Sequence, residues 1–298
     1  MTENTENSQQ ACDGNCSSCA SASTCTDPNK KAPGIQKVDI SVKHIILVLS
    51  GKGGVGKSTV ATNLAMSLAN KGYDTGIVDL DIHGPNIPKM LGVEDKRLES
   101  RDGKTIEPVR LTGKLGVVSM AFLLPDTSSP VVWRGPMKFT AIKQFLEDVN
   151  WGNMEYLIVD LPPGTGDEAL AICQLAPNID GAVIVTTPQD VAVLDSTKAV
   201  KFVEQLDLRV IGIIENMSGM ICPHCGDEID LFGKGGGKKA AEELKVPYLG
   251  SIPIDPEMRK AGDEGRPFVV RKAGDEQHQA TWEKVDAVMD NILIEIKK

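Results

Sequence analysis

The chain has 298 residues, 41% of them hydrophobic, and carries a formal net charge of −9. Its length suits one large α/β domain or two small ones, and its negative charge argues against nucleic acid or an anionic membrane as the main partner. No apolar run approaches the roughly 20 residues of a membrane span, and the N-terminus MTENTENSQQ lacks the basic and apolar regions of a signal peptide. We therefore expect a cytoplasmic protein.

The first 35 residues differ in composition from the rest of the chain. They are rich in Ser, Thr, Asn and Gln and hold almost no large apolar side chains, so we expect residues 1–35 to be flexible without a ligand and residues 36–298 to form the folded domain. This segment carries four cysteines in the spacing C-x3-C-x2-C-x5-C: Cys12, Cys16, Cys19 and Cys25. Because cytosolic thiols stay reduced, these four thiolates could hold either a [4Fe–4S] cluster or a zinc ion.

A glycine-rich loop lies between the first predicted strand, residues 44–50, and a predicted helix over 58–70. It fits the phosphate-binding pattern G-x-x-x-x-G-K-[ST]. The loop consists of Gly51, Lys52, Gly53, Gly54, Val55, Gly56, Lys57, Ser58 and Thr59. Glycines let backbone N–H groups turn toward a polyphosphate, and the start of the helix adds partial positive charge. We expect Lys57 to reach the β/γ-phosphates of ATP and the Ser58 hydroxyl to bind Mg²⁺.

A second lysine, Lys52, follows the first glycine of the loop. An ordinary phosphate-binding loop does not need it. The pattern G-K-G-G-x-G-K-[ST] resembles the deviant-Walker branch of P-loop ATPases, the relatives of MinD and of the nitrogenase iron protein. This resemblance implies a homodimer in which Lys52 reaches the nucleotide held by the partner chain.

Two further strands end in aspartates. The strand predicted over 74–80 leads into a D-x-D-x-x-G-P turn, which we expect at the carboxyl edge of the sheet beside the loop. Asp81 is our candidate for orienting the attacking water, and Asp79 supports Mg²⁺ or the turn, or caps a helix. The strand predicted over 156–160 (YLIVD) is typical of a Walker B motif, so Asp160 should hold Mg²⁺. The segment LPPGTGD that follows has the composition of a switch loop that senses γ-phosphate.

Alternating apolar strands and helices fill the rest of the domain. Strands predicted over 181–187 and 208–215 flank a helix over 191–205, which indicates a parallel sheet covered by helices on both faces. Asn216, which we place at the end of a strand, could contact adenine through its amide or serve a turn.

A C-x-x-C motif, CPHC, interrupts the α/β pattern with Cys222 and Cys225. Two thiolates are half of a tetrahedral set, so either His224 and a carboxylate complete the site or two chains each contribute a pair. Because Lys52 already implies a homodimer, a shared site of four cysteines on the twofold axis is the simpler interpretation. Zinc and a thioredoxin-type dithiol are the alternatives.

The C-terminal third contains one more unusual motif. The glycine-rich run FGKGGG at 232–237 could contact phosphate or act as a flexible linker. We predict a strand over 246–252, then a rigid turn over 253–256 that packs on the nucleotide base, and an amphipathic helix over 275–296.

Together these motifs resemble the Mrp/ApbC-type iron–sulfur cluster carrier ATPases, in the same order and over about residues 40–270. The motifs are GKGGVGKST, DLDIHGPNIP, VVWRGPM, YLIVDLPPGTGD, ENMSGMICPHCG and FGKGGG. The resemblance implies a dimeric ATPase that holds a labile [4Fe–4S] cluster at Cys222 and Cys225 of both chains and delivers it to apo iron–sulfur proteins. The N-terminal cysteines are similar to those of the eukaryotic cytosolic scaffold branch, although their first gap is shorter, and this resemblance implies a ferredoxin-like cluster at Cys12, Cys16, Cys19 and Cys25.

Two other functions fit parts of the pattern. A MinD-like regulatory or positioning ATPase would need a membrane-binding, basic C-terminus, whereas the terminal helix here carries charges of both signs. A zinc-stabilised binding protein would use the cysteines without cluster transfer. Anaerobic purification separates these possibilities, because a cluster is brown and zinc is colourless.

Overall fold

A computed structural model describes residues 36–100, 102–124, 133, 135–222, 225–272 and 276–298. Within them, Val38–Lys298 belong to one compact unit. The strands are β1 (Val42–Leu49), β2 (Thr75–Asp79), β3 (Glu99–Ser100), β4 (Ile106–Glu107), β5 (Val109–Thr112), β6 (Leu115–Ser119), β7 (Met154–Asp160), β8 (Ile179–Thr186), β9 (Val210–Ile221), β10 (Glu228–Ile229) and β11 (Tyr248–Ile254). The α-helices are α1 (Lys57–Asn70), α2 (Ile87–Met90), α3 (Gly135–Glu147), α4 (Asp167–Leu175), α5 (Asp190–Gln205), α6 (Gly236–Leu244), α7 (Pro256–Asp263) and α8 (Gln279–Ile296).

The described residues contain one nine-stranded sheet and a separate β3–β4 pair. The large sheet has the order β10-β9-β8-β1-β7-β2-β6-β5, and β11 pairs with β9. Pairing is parallel from β6 through β2, β7, β1 and β8 to β9 and β11, and antiparallel only for β5 and β10. The predicted α/β fold with a parallel sheet between helices is therefore confirmed.

The central strands of the large sheet are mainly hydrophobic because helices cover both faces of the sheet. Alternate residues of β1 point to opposite faces, so Ile45 packs in the cluster that includes Phe145 of α3, and Ile46 packs in the cluster that includes Leu64 of α1 and Met289 of α8. A parallel sheet buried on both faces needs continuous apolar strands. This is why HIILVL lacks the alternation of a half-exposed strand.

Strand β9 is longer than the sequence indicates. We predict its end at residue 215, but it continues to Ile221, so Asn216 lies inside a strand. Strand β11 pairs alongside the extension, with Ile252 opposite Asn216, and β10 pairs with its last residues. These neighbours satisfy the backbone of a stretch whose Asn, Ser and Gly residues read locally as a turn.

The structure also differs from the turn predicted over 253–256. Strand β11 includes Pro253 and ends at Ile254, and the Asp255 side chain then caps α7 by accepting from the Glu257 N–H at 2.8 Å. Pro253 is tolerated because β11 pairs with β9 alone and is an edge strand. The last helix begins at Gln279, after a 3-10 turn over Glu276–His278. In the described ranges no helix combines the length and the apolar character needed to cross a membrane.

Candidate functional site

The glycine-rich loop follows β1 at the carboxyl edge of the sheet and leads into α1. At Gly51 the backbone touches α5, because an ideal Cβ there would lie 2.2 Å from the carbonyl carbon of Asp195. Gly56 has φ +83°, and a Cβ there would lie 2.1 Å from Nδ2 of Asn216. Asn216 in turn donates to the Val55 carbonyl at 2.8 Å. The loop thus depends on glycine at both ends, for close packing at Gly51 and for left-handed backbone at Gly56.

The two halves of the predicted phosphate and Mg²⁺ site lie in direct contact. Lys57 Nζ is 2.6 Å from Asp160 Oδ1, and Ser58 Oγ donates to Asp160 Oδ2 at 2.6 Å. Asp160 is the last residue of β7, and β7 pairs directly with β1. The loop that follows β1 therefore lies next to Asp160. The structure therefore brings together Lys57, Ser58 and Asp160, as the motifs predict.

Asp79 is fully buried at the end of β2, opposite Asp160 in the register of β2 and β7. Its carboxylate accepts from Ser119 Oγ at 2.9 Å, from Asp81 N at 3.1 Å and from Ile87 N at 3.3 Å. Burial, followed by repulsion from Asp160, raises the pKa of Asp79 to about 8. Of the predicted roles, supporting the turn agrees with these contacts, which also bind the first N–H of α2.

Asp81 and Lys52 both lie at the rim of the loop. The Asp81 carboxylate accepts from the backbone N–H groups of His83 and Gly84, at 3.2 and 3.1 Å, and it lines the cavity over the loop. Lys52 is half-buried, and its backbone carbonyl accepts from Ser50 Oγ at 2.9 Å. Among the described residues the Lys52 ammonium makes no hydrogen bond or ion pair, unlike that of Lys57.

Two adjoining cavities open over the loop. The first, of about 290 Å³, is lined by residues of the loop itself together with Asp81 and Pro163. The second, of about 390 Å³, is lined by Asn216, Phe232 and the segment at the end of β11 and in α7. Gly56 and Met217, among others, line both cavities. A phosphate-sized space beside a partly apolar space of this size fits a nucleoside polyphosphate.

A hydrogen bond between Asp255, which is buried, and His278, which is half-buried, stabilises the wall of the second cavity. Asp255 accepts from His278 Nδ1 at 2.9 Å through Oδ2, while its Oδ1 caps α7. Phe268 and Trp282 surround the His278 ring. This hydrogen bond connects the start of α7 to the turn that precedes α8, and the predicted packing of residues 253–256 near a nucleotide base is compatible with this geometry.

Cys222 and Cys225 lie in the turn of the hairpin formed by β9 and β10. The turn is closed by Gly226 N donating to Cys222 O at 2.9 Å and by Cys222 N donating to Asp227 O at 2.8 Å. Cys222 is half-buried and Cys225 is exposed. The Asp227 backbone N–H lowers the pKa of the Cys225 thiol, but hydrogen bonds to Cys222 and to the Asp227 carboxylate raise it more. Within the described ranges no group of three or more His, Cys, Asp and Glu residues forms a metal site.

Some predicted ligands lie outside the described residues. These are Cys12, Cys16, Cys19 and Cys25, together with His224 between the hairpin cysteines. The N-terminal cluster and the domain boundary at residue 35 therefore stay predictions.

Sequence reasoning missed Glu215, which lies directly before Asn216 and is 1% exposed. Its carboxylate accepts from Gly235 N at 2.9 Å, Gly237 N at 2.6 Å and Ser218 Oγ at 2.5 Å. The glycine-rich run at 232–237 thus directs amides at a carboxylate of the chain itself. An available signal was the acidic residue in the apolar strand LRVIGIIE, because a buried charge requires several partners.

Comparison with protein families gives one match that spans most of the chain. The family model described as ParA, NUBPL iron-transfer P-loop NTPase, matches residues 41–292. The chain is 51% identical over 263 residues to the iron-sulfur cluster carrier protein of Methanocaldococcus jannaschii, covering 87% of this chain and 90% of that protein. It is 50% identical over 222 residues to the cytosolic Fe-S cluster assembly factor CFD1 of Candida glabrata, covering 73% of this chain and 78% of that one.

Solved structures agree on the fold. A nucleotide-binding protein from Archaeoglobus fulgidus, in complex with ADP and with cobalt found in it, is 40% identical with a TM-score of 0.67, covering 76% of this chain and 88% of that one. The cell division ATPase MinD of Pyrococcus furiosus gives a TM-score of 0.60 at 22% identity, covering 84% and 98%. At that identity the second similarity concerns the fold alone.

Proposed function

The chain belongs to the ParA family of NUBPL-type iron-transfer P-loop NTPases, and from this premise we propose that it is an ATP-hydrolysing carrier of [4Fe–4S] clusters that works as a homodimer in the cytoplasm. The observation that carries the proposal lies on β9. Asn216 of this strand lines the nucleotide cavity, and Cys222, six positions further on, directly follows the last residue of the strand. Nucleotide and cargo would therefore be held by one strand and the turn that continues it.

The nucleotide half of the proposal uses the loop and the strand ends. Lys57 would hold the β/γ-phosphates of ATP, Ser58 and Asp160 would hold Mg²⁺, and Asp81 would orient the attacking water. The donors fit the ion, because a hydroxyl and a carboxylate oxygen at one place are oxygen ligands that Mg²⁺ prefers. Bound there, Mg²⁺ would neutralise charge that develops on the phosphates. Lys52 would complete the site of the partner chain.

The cargo half uses the hairpin. Cys222, which is half-buried, and Cys225, which is exposed, offer two thiolates, and a [4Fe–4S] cluster needs about four. Two chains related by a twofold axis supply the set, so we propose a shared cluster between the hairpins and its delivery to apo iron–sulfur proteins. The names of relatives at 51% and 50% identity support this cargo. Cys12, Cys16, Cys19 and Cys25 would hold a second cluster within one chain.

The test is anaerobic purification of the full chain, followed by iron and sulfide analysis and by transfer to an apo-acceptor. We expect a brown protein that activates the acceptor, and loss of the shared cluster when Cys222 and Cys225 are replaced by Ser. Cys173→Ser is the matched control, because Cys173 lies on α4 away from the hairpin. A colourless zinc protein, or one that keeps its cluster without ever transferring it, would defeat the proposal.

A further inference from the structure

The run Phe232–Gly237 lies between the nucleotide cavity and the cysteine hairpin. The Glu215 carboxylate accepts hydrogen bonds from the backbone N–H groups of Gly235 and Gly237 in this run, at 2.9 and 2.6 Å. No cation of the described residues forms an ion pair with Glu215. Its buried charge is therefore compensated by these two N–H donors and by Ser218 Oγ, with help from the positive end of α6.

The same run reaches the hairpin through Lys234. Lys234 forms an ion pair with Glu228 of β10, the strand that pairs with Met220 and Ile221. Its side chain also covers Gly219, where an ideal Cβ would lie 2.4 Å from the Lys234 Cε. Lys234 therefore connects the run to both strands of the hairpin that carries the cysteine turn.

The run reaches the nucleotide side through Phe232. This ring lines the 390 Å³ cavity together with Asn216 and Met217. Met217 has φ +57°, an uncommon conformation for a residue other than glycine, so surrounding contacts must hold it in place. Those contacts include the hydrogen bond between the adjacent Ser218 and Glu215.

We propose that Glu215 is a positioning residue that couples nucleotide binding to metal binding at Cys222 and Cys225. The proposal rests on the proposed function, because it assigns both ligands to this chain. A nucleotide base in the cavity restricts the motion of Phe232 and Met217. Glu215, which binds the glycine run, then restricts the motion of the run and of the hairpin. A second ligand that binds to an already ordered segment loses less entropy, so each ligand should raise the affinity for the other.

The experiment measures the coupling in both directions. In the full chain, Cys12, Cys16, Cys19 and Cys25 are replaced by Ser, so that Co²⁺ reports on the hairpin through its thiolate charge-transfer absorption. Co²⁺ is titrated without and with saturating Mg-ADP, and ADP is titrated without and with Co²⁺. We expect ADP to tighten Co²⁺ binding about tenfold, and Co²⁺ to tighten ADP binding by the same factor, as linkage requires.

Glu215→Gln keeps the size of the side chain but replaces one carboxylate oxygen with an NH₂ group. This group is a donor and cannot accept a hydrogen bond from a backbone N–H. We expect each ligand alone to bind this variant within about threefold of the parent while the coupling factor falls toward one. Glu242→Gln, on the exposed side of α6, is the control and should keep the factor. Ser218→Ala removes one of the three hydrogen bonds to Glu215, at a half-exposed position. It should also lower the coupling factor. If Glu215→Gln does not fold, this variant tests the coupling role of Glu215.

Two results overturn the inference and are distinguishable. If the thiolate band never forms, the hairpin is not a metal site, and the proposed function fails together with the coupling. If both ligands bind the parent independently, or if Glu215→Gln and Ser218→Ala couple them as the parent does, the coupling role of Glu215 alone is wrong.

Discussion

Lys57 and Asp160 form a buried ion pair, with Nζ and Oδ1 2.6 Å apart and side-chain exposures of 6% and 0%. They are 103 positions apart in the chain and meet because β1 and β7 are neighbours in the sheet. Each compensates the other, since an unpaired charge at this depth would be strongly destabilising. The residue proposed to hold phosphate and the residue proposed to hold Mg²⁺ therefore constrain one another.

Replacing Lys57 with Ala removes the proposed charge on the β/γ-phosphates. We expect ATP hydrolysis to fall by at least about 100-fold, because an electrostatic contact of this kind stabilises the charge that develops in the transition state. Hydrolysis is measured as phosphate release by the purified protein. Lys71→Ala is the control, since Lys71 lies on the surface and pairs with Asp290. A rate within tenfold of the parent would exclude Lys57 from the reaction.

Asp160→Asn should change both Mg²⁺ dependence and stability. The Mg²⁺ concentration for half-maximal hydrolysis should rise about tenfold, because the carboxylate is a proposed oxygen ligand. Loss of the counter-charge of buried Lys57 should lower the free energy of unfolding by on the order of 3 kcal/mol. Asp290→Asn, which breaks the exposed pair with Lys71, should cost less than about 1 kcal/mol. An unchanged Mg²⁺ titration would remove Asp160 from the ion site.

Lys52→Ala should weaken hydrolysis while nucleotide binding by the single chain is largely kept, because the ammonium is proposed to act on the partner. Mixing tests this directly. A heterodimer of Lys52→Ala and Lys57→Ala chains has one site with both lysines, so an equal mixture should recover about a quarter of the parental rate. Each variant alone is the baseline. No recovery in the mixture, or a parental rate for Lys52→Ala alone, contradicts the trans role.

Gly56→Ala should destabilise the loop more than Gly54→Ala does. Both glycines have positive φ, +83° and +79°, so either alanine adds roughly 1 kcal/mol of backbone strain. Only at Gly56 would the new Cβ also meet Asn216, 2.1 Å from Nδ2, and disturb its hydrogen bond to the Val55 carbonyl, worth about 1 kcal/mol more. Denaturant unfolding measures both variants, and equal losses would show that the Asn216 contact does not stabilise the loop.

The two cysteine groups should behave differently. Cys222 and Cys225 are half of a ligand set, so replacing both with Ser should remove about one cluster per dimer and weaken dimerisation. Deleting residues 1–35 should remove up to about two clusters per dimer and leave hydrolysis nearly intact. Iron per dimer and transfer to an apo-acceptor are measured for each variant. If the Ser variant keeps all its iron and still transfers clusters, the N-terminal cysteines are the working site.

Local sequence predicts most of the fold but misjudges the end of β9. Apolar runs such as HIILVL determine buried strands because neighbouring side chains alone decide that pattern. The extension from Asn216 to Ile221 depends on β11, whose paired residues lie more than thirty positions further on. A window around Asn216 contains Ser218 and Gly219 and indicates a turn.

The sequence by itself determined the phosphate-binding loop, the aspartates at the strand ends and the cysteine turn. Each is a contiguous motif whose spacing is set by backbone geometry over a few residues. Only the tertiary structure decided that Lys57 pairs with Asp160 and that the glycine run binds the carboxylate of Glu215. Such contacts join residues far apart in the chain, so they follow from strand order and from the need to compensate buried charge, which no local window contains.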